Sequence, residues 1–468
     1  MRSALRSQSR YELSENNAYG RGLVETIVTD TIGSGPRLQI TQFDQTVNQA
    51  IEKAWHCWCE AVGYGDKLEV DNTSRVTDGE SVIRFINNVT IEDPVQLDLQ
   101  LIECDQLATP NWEPEITDNY VDGVHLDRFG NPYAYDILRY HPGNRGWATA
   151  NNWQFDQYSY TQLIHNFKQT RAGQHRGIPE FTPALPLFAF LRRFTLATIS
   201  AAETAASVSQ VIETDAPIPE ELETEYAANT FDKWMDSIPV DRNSATVLPN
   251  MWKLRQFAAE HPTTTYAMFK REIIAEISRC VCVPTNVATN DSSGSNMASA
   301  RFDRLGYERK VRKEQRRYNR KINDRVFSEW IVEAALVGSI PRRAANFVIA
   351  ANDKWGGRGL SNALAHTWHW DGLRDADEKD AADAQKTRLQ NGSTHRAREY
   401  ASQGLDVEVE DQKAADSFGV SVEEYREQLM MSIFANGNLM KEESTDGPAP
   451  TETNEEAESE RETEDATA

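Results

Sequence analysis

Residues 298–337 contain no proline and a single glycine, Gly306, which predicts one helix of up to 40 residues and a length of roughly 60 Å at 1.5 Å per residue. Few compact soluble domains can hold a helix that long, so the subunit is expected to be elongated or built in several parts. The first part of this stretch is strongly basic, with Arg301, Arg304, Arg309, Lys310, Arg312, Lys313, Arg316, Arg317, Arg320, Lys321 and Arg325 against Asp303, Glu308, Glu314 and Asp324. Its second part is apolar at Tyr318, Ile322, Val326 and Trp330, the side that must be buried. Arg309, Lys313, Arg316 and Arg320 fall along one helical face. Such a face meets phosphate, or else a neighbouring subunit or solvent, and the subunit face is favoured.

The segments before this helix follow a distinctive order. The first 180 or so residues read as an α+β unit with an antiparallel sheet. Apolar residues from Leu23 to Ile32 recur at helical spacing, and a second helix runs over 44–62 with Gly63 past its end. Strands are expected over 79–86 and 95–101, and a hairpin over 120–126 and 132–140 around the turn-rich 127–131. An Ala-rich stretch then predicts one long helix reaching Ile212. Residues 213–262 hold five prolines and the acids Glu220, Glu221, Glu223 and Glu225, and predict a compact irregular excursion. A helix over 265–282 ends at Pro284, and the polar segment 285–297 is too long for a plain turn. Beyond residue 371 short helices are broken near Gly392, Gly404 and Gly419. The last segment, 441–468, is free of aromatics, with 11 acids against 2 bases.

Charge and composition narrow the function. A formal net charge of -23 over 468 residues speaks against a chain that grips nucleic acid through its whole surface. The longest apolar run, 184–191, is well short of a membrane span, and the basic N-terminus lacks an apolar segment for export, so cytoplasmic residence without a membrane is expected. Five cysteines, including the C-x-C pairs Cys57/Cys59 and Cys280/Cys282, read as reduced, packed thiols. His366, His369 and Asp371 could hold a metal for a hydrolase, although the adjacent Trp368 and Trp370 make packing the simpler role. Asp78 and Glu80 read as a D-G-E turn with solvated carboxylates. Phosphate-binding loops and nucleophile elbows are absent. No enzyme and no cofactor is expected.

The order of helix, excursion, helix, polar loop and very long helix is more specific than any of these small groups. Over residues 11–425 the sequence resembles bacteriophage portal proteins of the lambda-like family. The resemblance rests on ENNAYGRGLVETIVTDTIGSGPRLQ, AWHCWCE, DGE and DGVHLDRFGNPYAYDI. Its strongest stretch is LIHNFKQTRAGQHRGIPEFTPAL, a His followed by R-x-x-Q-x-R-G-x-P, and it continues through FKREIIAEISRCVCVPTNVATNDSSGSNMASAR. The chain departs from the family at Cys280–Pro284, where a glycine-containing turn is usual, and in a Ser-rich loop lacking the aromatic that often follows the Asn.

The resemblance implies a non-enzymatic ring, usually of twelve copies, at one capsid vertex, through which double-stranded DNA passes as cargo without sequence specificity. It implies an α/β wing over 1–186, a stem helix over 187–212, a clip over 213–262 and a second stem helix over 263–283. A tunnel loop over 284–298, a long wing helix and its return over 299–371, a helical crown over 372–440 and an acidic, disordered tail over 441–468 complete the subunit. Asn286, Asn290, Asp291, Ser292, Ser293, Gly294, Ser295 and Asn296 would touch DNA. Glu220, Glu221, Glu223 and Glu225 would meet the large terminase. Further implied partners are the major capsid or scaffold protein and the head-completion or tail connector proteins, in a virion assembled in the host bacterial cytoplasm. A sliding duplex calls for a lining that neutralises few phosphates at once. A metal-dependent hydrolase using His366, His369 and Asp371, or a DNA-binding protein using the basic helix 301–325, is the alternative.

Overall fold

The computed structural model describes residues 2–108, 119–143, 154–207, 211–214, 252–255, 264–294, 296–356, 360–372 and 378–435. The chain forms two compact units, one of residues 1–373 with 402–404, the other of residues 374–401 with 405–468.

The larger unit is organised along the long helix. Helices α1 (Arg2–Arg10), α2 (Ala18–Ile32), α3 (Gln45–Val62) and α4 (Tyr64–Thr77) precede the sheets, and α1 runs through a π turn, Tyr11–Asn16, toward α2. Asn17 caps α2 by accepting from the Tyr19 and Gly20 amides, and Gly63 closes α3 in the left-handed region. The expected long helix is present as α8 (Met297–Tyr318), a π turn (Asn319–Asn323) and α9 (Asp324–Val337) without a break. Its buried residues Tyr318, Ile322, Val326, Trp330 and Ala334 recur every four positions, slower than the 3.6 of an α-helix. A π turn takes in the extra residue and keeps them on one side.

That side meets α3 and α4 in an aromatic core. Trp55 lies 5.0 Å from Trp58, 5.1 Å from Trp330 and 5.6 Å from Trp368, with Phe327 and Tyr64 at 5.7 Å. Strand β2 (Glu80–Asn87) sits between β3 (Leu97–Ile102) and β8 (Leu163–Phe167), all antiparallel. Strands β4 (Tyr120–Val121), β5 (Val124–Leu126), β6 (Pro132–Leu138) and β7 (Phe155–Ser159) form a second antiparallel sheet. The expected strand over 120–126 is thus two strands. Asp122 and Gly123 both have positive φ, 46° and 84°, and make the tight turn that a D-G pair favours. Strand β1 (Arg37–Ile40) pairs with β11 (His366–His369), drawing together segments more than 300 residues apart.

Asp78 and Glu80 are not solvated, contrary to expectation. Arg10 grips Asp78 with Nε at 2.6 Å and Nη2 at 2.9 Å. Glu80 is fully buried, and Arg176 Nη2 at 2.6 Å, the Gly177 amide at 2.7 Å and Arg6 Nη1 at 3.1 Å all donate to it, with His165 Nε2 at 3.0 Å. Burial alone would push this carboxyl up; Arg176 and His165 outweigh it and hold it well below the ordinary range. The backbone crossing beside this cluster is as tight. A Cβ on Gly177 would lie 2.1 Å from the Gly79 carbonyl oxygen, and one on Gly79 would lie 2.2 Å from the Ile178 carbonyl carbon.

The smaller unit is helical, with α10 (Glu378–Gln390), α11 (Arg396–Ser402), α12 (Val407–Phe418) and α13 (Val422–Ala435). Gly392, Gly404 and Gly419 stand at the breaks with positive φ, as the sequence predicts. Buried Asp411 ties it together, accepting from Arg426 Nε at 2.8 Å and from Arg396. The acidic segment 441–468 lies outside the described residues.

Replacing Glu80 by Gln removes the buried carboxylate between Arg176 and Arg6, leaving them only the more exposed Asp122 and Asp105, and should cost about 3 kcal/mol at neutral pH in urea unfolding. Because the folded-state pKa is depressed, this stabilisation is complete above the unfolded carboxylate value of about 4.3 and is lost as pH falls below it. The gap between wild type and Glu80→Gln should therefore close in acid. Gly177→Ala should lose about 3 kcal/mol or more, since the atom it strikes is backbone.

Candidate functional site

Two helices leave the body side by side. In α5 (Leu185–Ser207), Phe188 and Leu191 are buried with Ile273, Ile274 and Ile277 of α6 (Thr264–Cys280). Farther out Phe194 stacks on Tyr266 at 5.7 Å and meets Phe269 at 4.5 Å, so the two run antiparallel. Arg192 pins the base, with Nη1 donating to buried Glu12 at 2.8 Å. Phe190, Leu196, Ile199 and Met268 stay exposed. Among the described residues no third element covers them. Residues Thr182–Glu203 are long and apolar enough, by length and composition, to cross a membrane, which the eight-residue apolar run did not suggest.

Helix α5 stops at Ser207, short of the expected Ile212. The β-branched Val211 and Ile212 belong instead to β9 (Val211–Thr214), which pairs antiparallel with β10 (Trp252–Arg255). Most of the excursion 213–262, with Glu220, Glu221, Glu223 and Glu225, lies outside the described residues.

The segment after α6 is shorter as a loop than expected. The helix ends at Cys280, Cys282 has a positive φ of 55°, and α7 (Thr285–Thr289) is a short helix whose Val287 and Ala288 pack on the body. Asn286 therefore sits in a helix, and Asn290 closes it in the left-handed region. Asp291, Ser292, Ser293 and Gly294 form the exposed turn, and Asp291 Oδ1 accepts from the Ser293 amide at 2.9 Å. The Arg271 guanidinium covers Gly294 so closely that a Cβ there would lie 2.9 Å from it. Asn296 caps α8 by accepting from the Ala298 amide at 3.3 Å, and Ser295 lies outside the described residues. Lys310 donates to the Val281 carbonyl and ties this hinge to α8. Burial lowers its pKa despite nearby Glu180.

The basic stretch divides by direction. Arg317 lies 3.2 Å from Glu314, Arg304 and Arg312 each 3.7 Å from Glu308, and Lys321 and Arg325 donate to the Phe167 and Leu163 carbonyls at 2.8 and 2.9 Å. These cations hold the helix to itself and to the sheet. Arg309, Lys313, Arg316 and Arg320 point outward, exposed, with no ion pair to any described residue.

The alternative metal set does not converge. His366 and His369 lie three apart on a strand, hence on opposite faces. His366 Nε2 is 3.3 Å from Asp324 Oδ1, His369 Nε2 is 2.7 Å from Gln39 Oε1, and Asp371 Oδ2 accepts from the Ser34 amide at 2.6 Å. Among the described residues, Glu103, Asp105 and His141 bring ligand atoms within 4.8 Å of one another, but Arg10 Nη1 already lies 2.8 Å from both carboxylates. Of the free cysteines, Cys104 is buried while Cys57 and Cys282 are exposed, so the thiols are not all packed as expected.

Residues 1–315 match the profile of the phage portal protein family of lambda type. Over 269 residues the chain is 24% identical to the "Probable portal protein" of Halomonas phage phiHAP-1, which covers 55% of this chain and 51% of that protein, so the chain spans about half the length of this curated relative. Among solved structures, it overlaps a chain of a native gene transfer agent virion with a TM-score of 0.42 and 11% identity, covering 86% of this chain and 93% of that one. A chain from the neck of the native gene transfer agent particle, computed with C12 symmetry, gives 0.43 and 13%, covering 85% and 92%.

Cys282 is an exposed, non-glycine residue in the left-handed region at the hinge, a conformation with a cost of its own. Cys282→Gly should raise stability by about 1 kcal/mol after the added freedom of the unfolded chain is counted. Thermal unfolding checks this, and a lower melting temperature would contradict it.

Proposed function

The chain belongs to the lambda family of phage portal proteins, and on that premise we propose that it closes into a ring at one vertex of a phage capsid and passes double-stranded DNA through its bore. The observation that carries this reading is the projecting pair α5 and α6, whose outer apolar residues Phe190, Leu196, Ile199 and Met268 are uncovered among the described residues. Side-by-side copies would bury them, each subunit offering one flank to the next, and a rotation that closes makes a ring. An apolar, bilayer-length helix with Arg192 and Arg193 partway along it suits such a wall of helices better than a lipid span, because the guanidinium of Arg192 is engaged by Glu12.

Residues 290–296 supply the DNA contact. Asn290, Asp291, Ser292, Ser293 and Gly294 form a polar turn with a single cation beside it, Arg271 over Gly294, and the turn is held at its ends by the Asn290 and Asn296 caps. Weak hydrogen bonds from such a turn let a duplex slide, whereas a ring of arginines would neutralise phosphates and hold it. The acids of 220–225 are the proposed docking point for the large terminase, and the remaining partners are the capsid or scaffold protein and the head-completion proteins. The role is structural, in the virion, after assembly in the host cytoplasm.

Electron microscopy of the purified full chain should show a ring with a central hole; a compact monomer at high concentration would contradict the proposal. Deleting residues 290–296 should leave rings intact and reduce DNA packaging or retention to background. If rings no longer form, the turn has a structural task and its DNA role falls.

A further inference from the structure

Helices α4 and α8 run antiparallel and meet through long side chains, with α2 packed against both. Arg75 lies 3.7 Å from Glu314, the Tyr318 hydroxyl donates to Asp71 Oδ2 at 2.9 Å, and the Tyr64 hydroxyl donates to Asn323 in the π turn at 2.7 Å. Tyr64, Leu68, Asp71 and Arg75 therefore mark the inner side of α4, and Tyr307, Val311, Glu314 and Tyr318 that of α8, all of them buried. With 3.6 residues per turn, Asp66 and Glu69 stand about half a turn from the first line, and Arg309, Lys313, Arg316 and Arg320 about half a turn from the second.

The two outward strips carry opposite charge. Asp66 and Glu69 are exposed and pair with no described residue, as is Glu60 at the end of α3 across the Gly63 bend. Lys67, the cation between Asp66 and Glu69, is turned away and bound to Asp98. Val70, 52% exposed, gives the acidic strip an apolar patch. By contrast, exposed Glu272 and Glu276 on α6 alternate with exposed Arg271 and Arg279 and make no strip of one sign. The acidic and basic strips lie on the sides of α4 and α8 turned away from each other, and none of their charges pairs with another described residue. Copies related by rotation bring them together, because a head-to-tail contact uses two different faces.

We propose that Arg309, Lys313, Arg316 and Arg320 of each subunit dock on Glu60, Asp66 and Glu69 of the next copy in the ring. This rests on the ring assembly proposed above and names the residues that set its register. Single surface ion pairs are weak, but a strip of four against three steers encounter and penalises shifted registers by like-charge contact. Assembly should weaken as salt is raised.

The test uses full-length chains and three variants. Arg316→Glu with Arg320→Glu, and separately Asp66→Lys with Glu69→Lys, should each raise the subunit concentration needed for rings by about tenfold or more. All four changes in one chain should bring it back to within a few-fold of wild type. Circular dichroism and melting temperature near wild type show that each variant folds, as expected for exposed positions. Rings at wild-type concentration in either reversal, or a quadruple variant that assembles no better than its parents, would overturn the pairing. So would intact rings with loss of salt-sensitive duplex binding in the arginine variant, which would assign that face to DNA. Absence of rings in the wild type would strike the portal assembly itself, a different outcome from failure of the variants alone.

Discussion

The contact between Glu80 and Arg176 joins four separate segments of the chain at one buried point. Glu80 opens the central strand of one sheet, Arg176 comes from the segment leading to α5, Arg6 from the N-terminal helix and His165 from the neighbouring strand. A carboxylate with no exposure survives there only because each of its lone pairs meets a donor. The close passage of Gly79 by Gly177 and Ile178 is the geometric side of the same contact, since any side chain would push the two segments apart. The stretches D-G-E and R-G-x-P, nearly a hundred residues apart, are thus two halves of one joint.

A second buried polar centre fixes the long helix. Asp71 accepts from Ser81 Oγ at 2.6 Å, Asn166 Nδ2 at 2.7 Å and the Tyr318 hydroxyl at 2.9 Å, joining α4, the central strand β2, its neighbour β8 and α8 just before its π turn. Burial still pushes its carboxyl up against those three bonds. With Arg75 set between Asn72 and Glu180, the inner face of α4 is polar where an amphipathic helix would be apolar.

That polarity explains what the sequence concealed. Helix α3 was legible because Ile51, Trp55 and Trp58 mark one side and Gly63 ends it; α4 was not, because Asp71, Asn72 and Arg75 occupy its buried positions. The long helix was evident from missing breakers, but its π turn shows only in a four-residue spacing that local pattern does not separate from 3.6. Asp78 and Glu80 looked like turn residues because their partners, Arg10 and Arg176, lie far away in sequence. Of the candidate site, the polar turn 291–294 and the outward arginines were readable from composition and helical phase. The helix over 285–289 was not, since it depends on Val287 and Ala288 finding the body core.

Pairing of β1 with β11 has a consequence for how the chain is made. Arg37 faces His369, so β1 emerges with its partner still more than 300 residues from synthesis. At 5–20 residues per second that partner follows after roughly 15 to 70 s. During that interval the edge of β1 is open, and Trp368 is missing from the aromatic core that Trp55 and Trp58 await. The larger unit can therefore close only after nearly four fifths of the chain has been translated, which keeps half-made subunits from presenting a finished surface to their neighbours.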